Sequence, residues 1–98
     1  MTITTHVLDT SRGRPAEGVP VVLERAAGEG WEPVGRGATD ADGRTGELGS
    51  AGAGRYRLTF GTGAYLGEAA FYPQVTVEFR VDEGDDHYHV PLLLNPFG

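Results

Sequence analysis

The sequence contains no cysteine, no lysine, one tryptophan and one methionine. Without cysteine there can be no disulfide, no thiolate metal ligand and no thiol nucleophile. Packing and backbone pairing must hold the fold unaided. Positive charge is also scarce: the formal net charge is -6 at pH 7. That excludes ordinary nucleic-acid binding, which needs a basic face to displace counterions. No apolar run approaches the roughly 18 residues that cross a bilayer. The start, Met1-Thr2-Ile3-Thr4-Thr5-His6, lacks the basic stretch and apolar core of a secretory leader. A cytoplasmic protein without membrane association is the expectation.

What is present fits a small, turn-rich domain. The 98 residues make one domain by ordinary size priors, spanning 1–98. Val, Ile, Leu and Phe supply 22 of the 98 residues, just above the roughly 20% below which chains stay disordered. A domain this small buries a modest share of its surface, so assembly into oligomers is a natural way to add buried area. All eight basic residues are arginine, whose planar donor fork suits carboxylates and acidic heterocycles.

Period-two alternation runs through most of the chain. Residues 3–8 read as a strand with Thr4, His6 and Leu8 on one face and Ile3, Thr5 and Val7 on the other. Residues 10–18 are turn formers. Strands are expected at 19–25, 31–38, 55–60, 74–81 and 87–94, with one short edge strand near 44–48. The only helix expected lies at 63–70 and has at most about two turns. Asp40-Ala41-Asp42-Gly43 and Glu83-Gly84-Asp85-Asp86 read as tight turns. This spacing of strands indicates an all-β sandwich.

His87-Tyr88-His89 is the most conspicuous local feature. Two histidines two apart in a strand point to one face. With His6, the only other histidine, they offer three readings. They are a solvated polar face, a three-histidine zinc site, or a general base with its orienting partner. Asp40-Ala41-Asp42-Gly43 resembles part of a calcium loop but fails the full pattern, because the twelfth position falls on Gly49. Gly61-Thr62-Gly63 lacks the strand, turn and helix of a dinucleotide fingerprint. No Gly-x-Ser-x-Gly elbow occurs, so a hydrolase of this sequence would use water as its nucleophile.

Three blocks together resemble the 5-hydroxyisourate hydrolases of the transthyretin-like family. The first is Thr5-His6-Val7-Leu8-Asp9-Thr10, with Gly13-Arg14-Pro15-Ala16 and Gly18-Val19-Pro20-Val21. The second is Thr39-Asp40-Ala41-Asp42-Gly43-Arg44. The third is Phe71-Tyr72-Pro73 followed by His87-Tyr88-His89-Val90-Pro91-Leu92-Leu93-Leu94. The second block alone also occurs in other prealbumin-like modules; the first and third supply the specificity.

The resemblance implies a transthyretin-like (prealbumin-like) sandwich of two four-stranded antiparallel sheets with one short helix. It implies a homotetramer with active sites where dimers meet. It implies opening of the lactam ring of 5-hydroxyisourate, an intermediate of urate degradation, with His6, Arg44 and His89 as catalytic residues. His87 falls beside the matched catalytic position. No metal or organic cofactor is implied. Two departures stand out. Asn95 replaces the family's usual Ser, and the family pattern continues beyond Gly98 through a strand ending Tyr-Arg-Gly-Ser. The alternatives are a non-enzymatic transthyretin-like protein holding a small ligand in its channel, and a carbohydrate- or peptide-binding module, since one sandwich hosts all three functions.

Overall fold

Among the described residues the alternation written in the sequence becomes seven strands. The computed structural model describes residues 2–49, 52–84 and 87–95. In chain order these are β1 (Thr2–Asp9), β2 (Arg14–Pro15), β3 (Pro20–Ala27), β4 (Gly30–Ala38), β5 (Gly54–Phe60), β6 (Val75–Val81) and β7 (His87–Leu94). A single helical turn, α1 (Thr62–Leu66), lies between β5 and β6 and continues as a 3₁₀ turn at Gly67–Ala69. Asp85 and Asp86 of the expected hairpin turn, and Pro96, Phe97 and Gly98, lie outside the described residues.

The strands form two sheets, ordered β2-β1-β7 and β4-β3-β5-β6. Every pairing is antiparallel except that of β1 with β7, which is parallel and pairs Thr2 with His87, Thr4 with His89 and His6 with Pro91. Pro91 is tolerated because β7 is an edge of its sheet among the described residues. Ile3, Val7 and Leu94 from one sheet meet Val21, Leu23, Tyr56, Leu58 and Phe60 from the other, all buried. The apolar faces of β1, β3 and β5 are thus spent on the core, and the polar face of β1 and β7 is left outward.

The structure departs from the sequence reading in three places. Residues 10–18 include a two-residue strand, because the turn through Gly13 carries Arg14 and Pro15 back beside Asp9 and Leu8. The expected helix breaks at Gly67, whose φ of 66° ends the α-helical hydrogen bonding. The segment 44–48 is not a regular edge strand. It runs irregularly along β1 with one bridge, His6 to Arg44. Three backbone bonds hold it there: Val7 N–H donates to the Gly43 carbonyl at 2.7 Å, Thr45 N–H to Thr5 at 3.3 Å and Leu48 N–H to Ile3 at 3.0 Å. The sheet implied to be four-stranded therefore has three strands plus this irregular cover.

Asp9 anchors the far end of β1. Its side chain is fully buried and accepts from Ser11 Oγ at 2.7 Å, Tyr65 Oη at 2.7 Å and the Arg12 amide at 3.1 Å. Burial alone would raise its pKa, but those hydrogen bonds outweigh it and hold the carboxyl below its ordinary value. A carboxylate depressed in the folded state adds stability above its unfolded value near 4, and that stability is lost as pH falls through the lower folded value. Asp9→Asn should cost about 1–3 kcal/mol near neutral pH. It should also flatten the loss of melting temperature as pH falls below about 4, read by thermal scans across pH.

Gly43 fixes how closely the 40–44 turn approaches β1. Its φ is +78°, and a Cβ there would lie 2.4 Å from the Val7 carbonyl oxygen and 3.0 Å from Pro15 Cβ. Gly43→Ala combines left-handed backbone strain with a backbone clash and should cost more than about 2 kcal/mol. The expected fall in melting temperature is roughly 10 °C. Gly46→Ala, where the added carbon meets nothing within 4 Å, should change stability by less than about 0.5 kcal/mol.

Candidate active site

On β1 the outward residues are Thr2, Thr4, His6 and Leu8; on β7 they are His87, His89, Pro91 and Leu93. The parallel register sets Thr4 beside His89, so the rings of His6 and His89 come within 6.3 Å, inclined at 48°. Arg44 reaches the same place from the other side of β1, through its bridge to His6. Three segments far apart in the chain meet here: the two imidazoles share one face, and the backbone of Arg44 is bridged to His6 beside them.

The approach of Arg44 depends on a turn that spends its carboxylate on its own backbone. Asp40 Oδ1 accepts from the amides of Asp42 at 2.9 Å and Arg44 at 3.1 Å. Asp40 N–H donates to the Arg44 carbonyl and Gly43 N–H to the Asp40 carbonyl, each at 2.9 Å. This is the turn expected of Asp-x-Asp-Gly, not a cation loop. The turn also presents the Asp42 carbonyl to His6 Nε2 at 2.9 Å. A carbonyl only accepts, so His6 Nε2 carries a hydrogen and the neutral ring keeps its lone pair on Nδ1.

His89 is held differently. Its Nδ1 lies 3.0 Å from Thr4 Oγ1. Burial, followed by the neighbouring His6, His87 and Arg44, lowers its pKa, because desolvation and like charge both disfavour the imidazolium. His89 is thus less readily protonated than an ordinary histidine. His87 stands one pleat further along β7, bonded to Thr2 Oγ1 at 2.7 Å and to Thr4 Oγ1 at 3.4 Å. Among the described residues no three His, Cys, Asp or Glu side chains gather as a metal site requires. The three-histidine zinc arrangement is not formed here, since His87 turns to the threonines. Thr2, Thr4 and the Asp42 carbonyl are the site groups that sequence reasoning missed. The β1 alternation placed Thr4 on the histidine face, but the strand was expected to start at residue 3, and only the parallel pairing sets Thr2 and Thr4 against β7.

A cavity of about 290 Å³ is lined by Arg12, Arg14, Pro15, Glu17, Ala41 and Tyr65 and contains no histidine. The histidine face is open instead, with Leu93 at its end 63% exposed.

A family model described as the HIUase/Transthyretin family matches residues 3–98. The chain belongs to the HIUase/transthyretin family. Among its relatives, the 5-hydroxyisourate hydrolase of Salmonella dublin is 42% identical over 102 residues, covering 98% of this chain and 75% of that protein. The solved 5-hydroxyisourate hydrolase of Klebsiella pneumoniae superposes with a TM-score of 0.85 at 41% identity, covering 99% of this chain and 91% of that one. Sea bream transthyretin in complex with thyroxine superposes with a TM-score of 0.92 at 33% identity, covering 100% and 90%. The transthyretin-like all-β fold with one short helix is therefore shown. Backbone likeness does not separate hydrolase from binding protein within this family.

The lowered pKa gives a direct expectation. Followed by NMR, the His89 ring should titrate with a midpoint below the ordinary 6.5. His6→Gln removes one positive neighbour and should move that midpoint upward. A wild-type midpoint at or above 6.5 would contradict the described surroundings of His89.

Proposed function

We propose that this protein is a 5-hydroxyisourate hydrolase that opens the lactam ring of its substrate in urate degradation. The observation that carries the reading is the convergence of His6, His89 and Arg44 on one face. Kinship with hydrolases from several bacteria supports it.

Hydrolysis of a cyclic amide needs an activated water, stabilisation of charge on the carbonyl oxygen, and a proton for the leaving nitrogen. His89, kept neutral by its surroundings, takes the proton from water as the water oxygen bonds to the carbonyl carbon. Arg44 holds the acidic ring and meets the negative charge that develops on the oxygen. His6 acts in its protonated form: with Nε2–H held on the Asp42 carbonyl, it gives its Nδ1 proton to the leaving nitrogen as the ring C–N bond breaks. These groups suffice without a metal ion or organic cofactor, so turnover should persist in the presence of a chelator.

The open face also supports assembly. A water-activating base works best where bulk solvent is excluded. On one chain this face is exposed, with Leu93 at its edge. We place it at the contact between dimers of a homotetramer, each copy a single domain over 1–98, acting in the cytoplasm. The rival reading, a binding protein for a small ligand, draws on the likeness to transthyretin, but it leaves the imidazole pair, and an Arg44 that forms no ion pair among the described residues, without a task.

A spectrophotometric assay on freshly generated 5-hydroxyisourate tests the proposal. His89→Ala and His6→Ala should each lower kcat by about 10²–10⁴-fold. Arg44→Ala should lower it by about 10²–10³-fold, and Arg44→Lys should recover only part of that, because an ammonium lacks the planar fork. Unchanged turnover in His6→Ala removes that residue from the mechanism. Absence of turnover in the wild-type protein ends the hydrolase reading.

A further inference from the structure

One hydroxyl on the histidine face serves two rings. Thr4 Oγ1 lies 3.0 Å from His89 Nδ1 and 3.4 Å from His87 Nε2, and Thr2 Oγ1 lies 2.7 Å from His87 Nδ1. The parallel register produces this, since Thr2 pairs with His87 and Thr4 with His89. The result is a continuous chain running Thr2, His87, Thr4, His89.

A hydroxyl has one hydrogen to give, and a neutral imidazole has one N–H and one lone pair. Such a chain has two self-consistent directions. In one, Thr4 donates to His89 Nδ1, and His89 carries its hydrogen on Nε2. In the other, His89 Nδ1–H donates to Thr4, Thr4 donates to His87 Nε2, and His87 Nδ1–H donates to Thr2. The second direction leaves the lone pair on His89 Nε2, the atom that Thr4 does not occupy. A general base needs that form.

We propose that Thr4 is a positioning residue for the hydrolysis, holding His89 with the Nε2 lone pair toward the substrate and connecting it to His87 as the outlet for the proton taken from water. The inference rests on the hydrolase reading and deepens it. The step balances. His89 Nε2 takes a proton from water while the water oxygen bonds to the carbonyl carbon and an electron pair moves onto the carbonyl oxygen. His89 Nδ1–H passes to Thr4 Oγ1 as the hydroxyl hydrogen of Thr4 passes to His87 Nε2. His89 ends neutral in its other tautomer, Thr4 ends unchanged, and the positive charge resides on His87, which is exposed and discharges to solvent. The titratable and charged groups around His89 are His6 on β1, His87 on its own strand and Arg44 on the segment beside β1. Moving the proton outward to His87 takes charge away from His6 and Arg44.

The test compares Thr4→Val, Thr4→Ser and His87→Gln in the full chain. Valine keeps the branched shape of threonine and the strand, and serine keeps the hydroxyl. Thr4→Val should lower kcat about tenfold, part of the 10²–10⁴ that a general base supplies, with KM within about twofold. Thr4→Ser should restore kcat to within about threefold of wild type. His87→Gln keeps a hydrogen-bonding group but cannot take up a proton; its kcat should fall while His89 keeps its tautomer. Imidazole ¹⁵N shifts should show His89 protonated at Nδ1 in the wild type and mixed in Thr4→Val. Wild-type kcat in Thr4→Val overturns the positioning role, and wild-type kcat in His87→Gln overturns the outlet. Should the wild-type protein fail to turn over 5-hydroxyisourate, the hydrolase reading fails on its own. The His89 tautomer then decides the positioning role, an unchanged tautomer in Thr4→Val overturning it.

Discussion

The parallel pairing of β1 with β7 is the constraint on which the site depends. The pleat sends every second side chain outward, so a shift of one residue in register would turn His89 into the core. Register is held because the inner positions of both strands are committed: Ile3, Val7 and Leu94 are buried in the apolar core, and Thr5 and Asp9 are buried with them. Burying those side chains therefore places Thr4 against His89 and His6 one pleat further on. The energy that fixes the imidazoles comes from the opposite face of the strand, where none of the chemistry occurs.

Arg44 is placed by other means. It belongs to no ladder, and a lone bridge would hold it weakly. Its position follows from the Asp40 turn, whose carboxylate bonds two amides, and from Gly43, which lies too close to β1 for any side chain. The same turn gives His6 its hydrogen-bond acceptor. One local device thus sets the guanidinium and the tautomer of the nearest imidazole together, so a change in the turn should disturb both.

Much of this was readable in the sequence because it depends on local periodicity. The alternation in 74–81 and 87–94 gave the strands, and that in 3–8 put His6 on the outward face. The turn at Asp40 followed from residues that favour it. What could not be read depends on contacts across the chain. Nothing in the spacing says that β7 runs parallel to β1 rather than antiparallel. The partners of the histidines, Thr2 and Thr4, stayed hidden for that reason. The segment 44–48 looked like a strand but pairs irregularly with β1, through one bridge and scattered backbone bonds. The approach of the His6 and His89 rings and the bridge from His6 to Arg44 arise from pairings that composition and spacing could not have given.

Charge explains how an acidic protein accommodates an acidic substrate. The net charge of -6 would repel an anion at long range, but screening limits that repulsion to about 8 Å at physiological salt. Within that distance the patch is of the opposite kind, with the permanently charged Arg44 bridged to His6 and acting on His89. Among the described residues Arg44 forms no ion pair, whereas Arg12, Arg55 and Arg57 each sit against a carboxylate. An arginine already paired would have to give up its partner to bind a ligand, and an unpaired one does not. The same cationic surroundings disfavour the protonated form of His89. The groups that attract the substrate therefore also keep the base in its working state.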